Sequence, residues 1–162
     1  MARHSRGSNH NNRHNKCHKS KCVKKEEIVG AYAGSYFLPG PTQLLANVAF
    51  NAGGTLTGQD VGDVGVGAFG TVHTGIWERV GGKVYKFSFT NVGANFTPVN
   101  QLPAVAADRL VACGTLTLSN DGQSFTGSGI VNIYTVADPP FSTLVVGNIP
   151  FTANFVRLNF IC

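Results

Sequence analysis

The hydrophobic and polar positions of the chain divide it into two parts of unequal length. Residues 1–25 contain almost no apolar side chain before Val23, whereas short runs of Val, Leu, Phe, Thr and Tyr alternate with polar residues from residue 28 onwards. Alternation with a period of two, interrupted by Gly, Pro, Asn and Asp, is typical of β-strands and their turns. The pattern predicts strands at residues 29–38, 43–51, 54–60, 69–80, 83–91, 109–118, 123–136 and 151–160.

Eight consecutive strands with mostly short connections favour a single antiparallel up-and-down β-barrel or a closely related sandwich. Closure into a barrel also removes the exposed strand edges that an all-β chain must otherwise protect. No helix is predicted, since the best candidate, Gln101–Ala107, is interrupted by Pro103. We therefore expect an all-β domain at residues 28–162, preceded by a basic arm at residues 1–27 that is disordered on its own.

One hairpin can be predicted in register, because Asp121-Gly122 supplies a tight turn with positive φ at low energetic cost. A two-residue loop at that position gives the hairpin one apolar face and one polar face, and the polar face is expected to look outward. The apolar pairs are Leu118 with Phe125, Leu116 with Gly127, Ala112 with Val131 and Leu110 with Ile133. The outward pairs are Thr117 with Thr126, Thr115 with Ser128, Cys113 with Ile130 and Arg109 with Tyr134.

The orientation of Trp77 depends on the preceding hairpin, for which two registers remain open. A two-residue loop at Gly81-Gly82 turns Trp77 outward, where it would form a contact surface. A three-residue loop with a bulge places Trp77 inside with Tyr85, Phe87 and Phe89, as a core plug or as the floor of a ligand cavity. The second arrangement is favoured, because a lone Trp in a small domain is more often part of the core.

Several segments between residues 28 and 160 carry a family resemblance. They are Gly30–Gly34 (GAYAG), Phe50–Gly58 (FNAGGTLTG), Gly75–Arg79 (GIWER) with Tyr85–Phe89 (YKFSF), and Gly114–Leu118 (GTLTL) with Phe125–Gly127 (FTG). Together they resemble small uncharacterised lipocalin-like (calycin-type) barrel proteins. The resemblance implies a meandering β-barrel and brings no established activity or functional residue with it. The basic arm lies outside the resemblance.

Charge separates the arm from the rest of the chain. The first 25 residues contain no Asp or Glu, and residues 26–162 carry five Lys or Arg against eight Asp or Glu, so the net charge of +5 is +8 from the arm and −3 from the remainder. This asymmetry predicts that the arm binds nucleic acid, another polyanion or neighbouring subunits. The predicted contact residues are Arg3, Arg6, Arg13, Lys16, Lys19, Lys21, Lys24 and Lys25.

The arm also contains two Cys and two His at a spacing that could hold zinc, namely His14, Cys17, His18 and Cys22. The surrounding cations oppose the addition of another cation, so free thiols or a disulfide are favoured over zinc and no cofactor is predicted. Cys113 and Cys162 complete an even count of four, which establishes no connectivity.

Catalytic chemistry finds no support in the pattern. His73 and Glu78 are five positions apart, so on one strand they face opposite sides and cannot act as an acid–base pair. The polar arm lacks the apolar stretch of about 7 to 15 residues that a secretory signal needs, and no run reaches the roughly 18 apolar residues of a membrane span. We therefore expect a soluble, non-enzymatic protein that is intracellular or associated with a virion or similar particle.

Two functions are compatible with this sequence. The favoured one is a self-associating structural barrel, a homo-oligomeric component of a virion or similar particle, whose arm binds a polyanion or neighbouring subunits. The alternative is a carrier that encloses a small apolar ligand, although such a barrel is more often filled by its own side chains. The residues expected to form the cavity or the core are Trp77, Tyr85, Phe87, Phe89, Leu110, Leu116, Phe125 and Ile133.

Overall fold

A computed structural model of the chain describes residues 27–60, 64–65, 68–95, 105–136 and 139–159. Within these ranges no helix is long and apolar enough to cross a membrane. The strands are β1 (Gly30–Phe37), β2 (Gln43–Phe50), β3 (Thr55–Asp60), β4 (Val64–Gly65), β5 (Ala68–Gly70), β6 (His73–Gly81), β7 (Val84–Asn95), β8 (Val105–Leu118), β9 (Ser124–Tyr134) and β10 (Leu144–Arg157).

Eight of these strands form a closed antiparallel barrel in the order β1-β2-β3-β6-β7-β8-β9-β10, with β10 pairing back onto β1. Consecutive barrel strands are neighbours throughout, which confirms the predicted all-β, up-and-down fold. The short strands β4 and β5 pair with each other, and β5 also pairs with the end of β7. The basic arm was predicted at residues 1–27, of which residues 1–26 lie outside the described residues.

The β8–β9 hairpin has the predicted register, from Arg109 opposite Tyr134 to Leu118 opposite Phe125. Its turn is longer than two residues, because the Ser119 N–H donates to Ser124 O at 2.8 Å and closes a loop of residues 120–123. Gly122 lies in this loop with φ 71°, a conformation that glycine adopts without a steric penalty. Leu116, Leu118 and Phe125 are buried, so the apolar face points into the barrel, as predicted.

The β6–β7 hairpin contains a register shift between Arg79 and Gly81, and Trp77 consequently lies opposite Phe87. Because side chains alternate along a strand, this shift of one residue turns Trp77 to the interior. The side chain of Trp77 is 7% exposed. The bulged arrangement, one of the two registers that the sequence allowed, is thereby confirmed.

Inward-facing glycines let the strands of this small barrel approach one another closely. A Cβ atom on Gly75 would lie 2.2 Å from Ser88 O, and one on Gly34 would lie 2.1 Å from Asn154 O. Both distances are far below van der Waals contact, so a larger residue at either position requires the backbone to move. Glycine at such positions is typical of tightly curved sheets.

Several predicted strand boundaries were wrong, including the end of β7, which lies at Asn95 rather than at residue 91. β8 begins at Val105 rather than at residue 109, and β10 begins at Leu144 rather than at residue 151. The first half of β10 is irregular, with two register shifts against β9 and a positive φ of 58° at Asn148. The strand predicted at residues 69–80 is divided into β5 and β6 by residues 71–72.

Candidate ligand-binding cavity

Arg157 closes one end of the barrel, which we call the sealed end. Its Nε donates to Gly122 O at 2.8 Å, and its Nη1 donates to Val29 O at 3.0 Å. Its Nη2 donates to both Glu27 O and the hydroxyl of Tyr32. One guanidinium therefore ties together the segment before β1, the β8–β9 turn and the end of β10.

Tyr32 lies directly beneath this guanidinium and is fully buried. Its hydroxyl donates to Ile28 O at 3.1 Å, so the phenol is satisfied in its neutral form. Burial raises the pKa of Tyr32 above its ordinary value of 10.0, and the positive charge of Arg157 opposes part of that rise. The sealed end is thus held by a polar network on top of an aromatic core.

Below the sealed end, aromatic side chains fill the middle of the barrel. Trp77 packs edge-on against Phe50 and Tyr85, with ring centroids 6.2 and 5.7 Å apart, and its Nε1 donates to Thr55 O at 2.9 Å. These contacts make Trp77 part of a solid plug. They select the core-plug alternative over the floor of a cavity.

Most of the residues that the sequence pattern assigned to a cavity or core belong to this filled region. The gap beside Phe87, Leu116 and Phe125 measures only about 20 Å³. A gap of that size holds about one water molecule and nothing larger. The middle of the barrel therefore has no room for a ligand.

A larger cavity, of about 120 Å³, lies toward the opposite end of the barrel, which we call the cavity end. Three of the residues expected from the sequence, Phe89, Leu110 and Ile133, line this cavity. Its other lining residues were not assigned to a cavity from the sequence. Among the described residues, the polar groups in its wall are those of Asp60, His73 and Tyr36, and the remaining side chains are apolar. The apolar lining residues besides Phe89, Leu110 and Ile133 are Leu38, Leu44, Ala112, Val131, Ile149 and Phe151.

Asp60 and His73 form a polar pair in this otherwise apolar wall. His73 is 3% exposed, and its ring stacks on Phe89 with centroids 4.7 Å apart and an interplanar angle of 11°. His73 Nε2 lies 3.7 Å from Asp60 Oδ2. The arrangement can accept a hydrogen bond from a small molecule in the cavity, since a carboxylate has several acceptor positions.

The pairing of Asp60 with His73 was not predicted from the sequence. His73 was compared there only with Glu78, which is exposed on the outer face and pairs with Lys86 at 2.6 Å. The relevant signal was the alternation along β3, where Asp60 has the same parity as the buried Leu56. A carboxylate at an inward-facing position of β3 was thus the available signal for this pair, although its partner is distant in sequence.

Several predicted site residues lie outside the part of the chain that the structure describes. They are the eight arm cations and the residues His14, Cys17, His18, Cys22 and Cys162. Among the described residues, no group of three or more His, Cys, Asp or Glu side chains could hold a metal ion. Cys113 is half-buried and its thiol is free.

No protein-family model matches the sequence, and neither the curated proteins nor the solved structures with which it was compared gave a match. The resemblance to lipocalin-like proteins therefore stays a prediction, and the geometry of the barrel itself is the basis for proposing a function.

Proposed function

We propose that the barrel binds one small apolar molecule in the cavity near Phe89, Leu110 and Ile133. The supporting observation is the cavity of about 120 Å³ with its mainly apolar wall. Apolar cavities of roughly 150 Å³ stay dry and hold a molecule the size of benzene. A ligand whose apolar body fits within about 120 Å³ gains the free energy of leaving water and requires little rearrangement of the protein.

The plug supports this proposal because it fixes the cavity wall before a ligand arrives. Phe89 contacts both the cavity and the filled middle of the barrel, where its ring lies 6.1 Å from that of Phe87. A preformed site loses little conformational entropy on binding, which favours affinity even for a small ligand.

Toluene provides the direct test, because it is a single-ring hydrocarbon with no hydrogen-bonding group. We expect the full chain to bind toluene, measured by ligand-observed NMR, and the variant Ala112→Leu to bind it at least about tenfold more weakly, since the added side chain occupies the cavity. The matched control is Thr115→Leu, the same final residue at an exposed position of β8. Val131→Phe fills the cavity from β9 should Ala112→Leu fail to fold.

Equal binding of toluene by the full chain, Ala112→Leu and Thr115→Leu would overturn the proposed site. Absence of any binding at millimolar toluene would overturn it as well. The fluorescence of Trp77, the single Trp of the chain, reports whether each variant is folded.

A second candidate function is a self-associating component of a virion or similar particle, and the outer wall of the barrel supports it. Leu45, Ile76, Val80 and Val156 are each more than half exposed. Apolar side chains at the surface are common singly, but their number on this wall would suit contacts between copies of the chain. We expect Ile76→Glu to lower the oligomeric mass in native mass spectrometry, with Thr74→Glu on the same strand face as the control.

The basic arm is proposed to bind nucleic acid or another polyanion inside the cell or particle, and the charge division of +8 and −3 supports this proposal. Deletion of residues 1–25 is expected to leave a folded barrel and to abolish binding to a single-stranded oligonucleotide. If most of the cations contact phosphates, the affinity of the full chain should fall roughly a thousandfold between about 50 and about 200 mM salt. Binding that is unchanged by the deletion or by salt would contradict the proposal.

A further inference from the structure

We infer that Asp60 makes the cavity selective for a neutral ligand that carries a hydrogen-bond donor, such as a small phenol or alcohol. The inference rests on the proposed function, because it concerns the chemistry of the molecule that enters the cavity. It goes beyond that function by naming the residue that discriminates among apolar ligands of the same size.

The polar pair is placed where a ligand in the cavity would touch it. The side chains of Asp60 and His73 are 11% and 4% exposed, and both line the cavity, whose other side chains offer almost solely apolar surface. The imidazole of His73 is held in place by its stack on Phe89, which also lines the cavity. A ligand that fills the cavity therefore meets the carboxylate and imidazole along one part of its surface and hydrocarbon elsewhere.

The chemistry of a carboxylate determines which ligands fit. An ionised carboxylate only accepts hydrogen bonds, so a ligand hydroxyl can donate to it. A ligand carboxylate would place a second negative charge beside the first in surroundings of low polarity, which is unfavourable. A ligand ammonium would have to lose its hydration in an apolar enclosure, which opposes the attraction to Asp60. A neutral hydroxyl avoids both penalties.

The volume of the cavity limits the size of the ligand body. About 120 Å³ accommodates a single six-membered ring and excludes fused rings or long acyl chains from complete enclosure. The ligand class is therefore a one-ring or short-chain alcohol or phenol.

The test compares four probes that each carry one six-membered ring, phenol, toluene, benzoate and benzylamine, on the full chain at neutral pH. The affinity ratio of phenol to toluene is measured for the wild-type chain, for Asp60→Ala and for Asp60→Asn. We expect the ratio to fall about tenfold or more in Asp60→Ala, because a hydrogen bond to a charged group is lost. The affinity for toluene should change less than about threefold, and the wild-type chain should bind benzoate more weakly than phenol.

The outcomes separate this inference from the proposed function. Toluene binding with an unchanged phenol-to-toluene ratio in both Asp60 variants overturns the role of Asp60 and leaves the apolar cavity in place. Tighter binding of benzylamine than of phenol also overturns it, in favour of a cationic ligand. Absence of binding by every probe overturns both proposals. Asp60→Asn retains the shape of the side chain and a neutral amide oxygen as acceptor, so the ratio should fall there by less than in Asp60→Ala. It gives the comparison even if Asp60→Ala does not fold.

Discussion

Arg157 contacts Tyr32 in two ways at once, since its Nη2 donates to the Tyr32 hydroxyl while the guanidinium carbon lies 4.9 Å from the centroid of the same ring. The two residues are 125 positions apart in sequence, on the last and first strands of the barrel. Their contact adds side-chain interactions to the β1–β10 pairing that closes the sheet.

Replacement of this arginine should therefore destabilise the whole barrel. Arg157→Ala removes hydrogen bonds to three main-chain carbonyls and to Tyr32, and we expect the free energy of unfolding to fall by about 3 kcal/mol in urea titrations. The control is Lys86→Ala, which removes an exposed cross-strand ion pair and should change stability by less than about 1 kcal/mol. Similar effects of the two substitutions would contradict the structural role of Arg157.

Tyr32 should make the barrel sensitive to alkaline pH. Because its pKa is raised in the folded chain above the ordinary value of 10.0, the unfolded chain ionises first as the pH rises. The stabilising contribution is therefore complete below about pH 10 and is lost as the pH rises through the folded pKa. We expect the stability difference between the wild-type chain and Tyr32→Phe to be larger at pH 8 than at pH 11. A difference that is constant over this range would exclude the mechanism.

Gly75 offers a steric test of the barrel curvature. Its substitution by Ala would place a Cβ atom against Ser88 O and Phe89, so we expect a loss of about 2 kcal/mol or more in the free energy of unfolding. Gly81 lies on the same strand, and a methyl group added there would have no atom within 4 Å, so Gly81→Ala should change stability by less than about 0.5 kcal/mol. The free energies of unfolding of the two variants are compared by thermal unfolding. Equal losses in Gly75→Ala and Gly81→Ala would contradict the steric argument.

Asp121 should contribute an acid-dependent part of the stability. Its carboxylate accepts hydrogen bonds from the Ser119 hydroxyl at 2.6 Å and from the Gln123 N–H at 2.9 Å, and these bonds lower its pKa below the ordinary 3.8. The contribution is present above that value and is lost as the pH falls through the lowered pKa. The stability difference between the wild-type chain and Asp121→Asn, measured by urea titration, should therefore shrink between pH 6 and pH 2. A difference that stays constant over this range would contradict the role of Asp121.

The sequence predicted the barrel well where local turn chemistry and alternation agree. The β8–β9 register follows from the Asp121-Gly122 turn combined with the regular apolar face that includes Leu116 and Leu118. It predicted less where one local feature permits two registers. Gly81-Gly82 fits either hairpin loop, and the bulge is decided by the gain from burying Trp77 against rings contributed by other strands.

The candidate site was harder to predict because it is assembled across the barrel. Asp60 and His73 are 13 positions apart on β3 and β6, which are neighbours only because β4 and β5 leave the barrel order between them. The start of β10 was missed for a different reason, since its irregular pairing around Asn148 interrupts the period of two on which the prediction depended.

Glu27 lies at the sealed end, where its carbonyl accepts a hydrogen bond from Arg157. The cavity lies toward the other end of the barrel, a strand length of roughly 20 Å away. A molecule held there would not touch the segment before β1 that Arg157 fastens. Filling the cavity and loosening the first strand are therefore events that the barrel can keep apart.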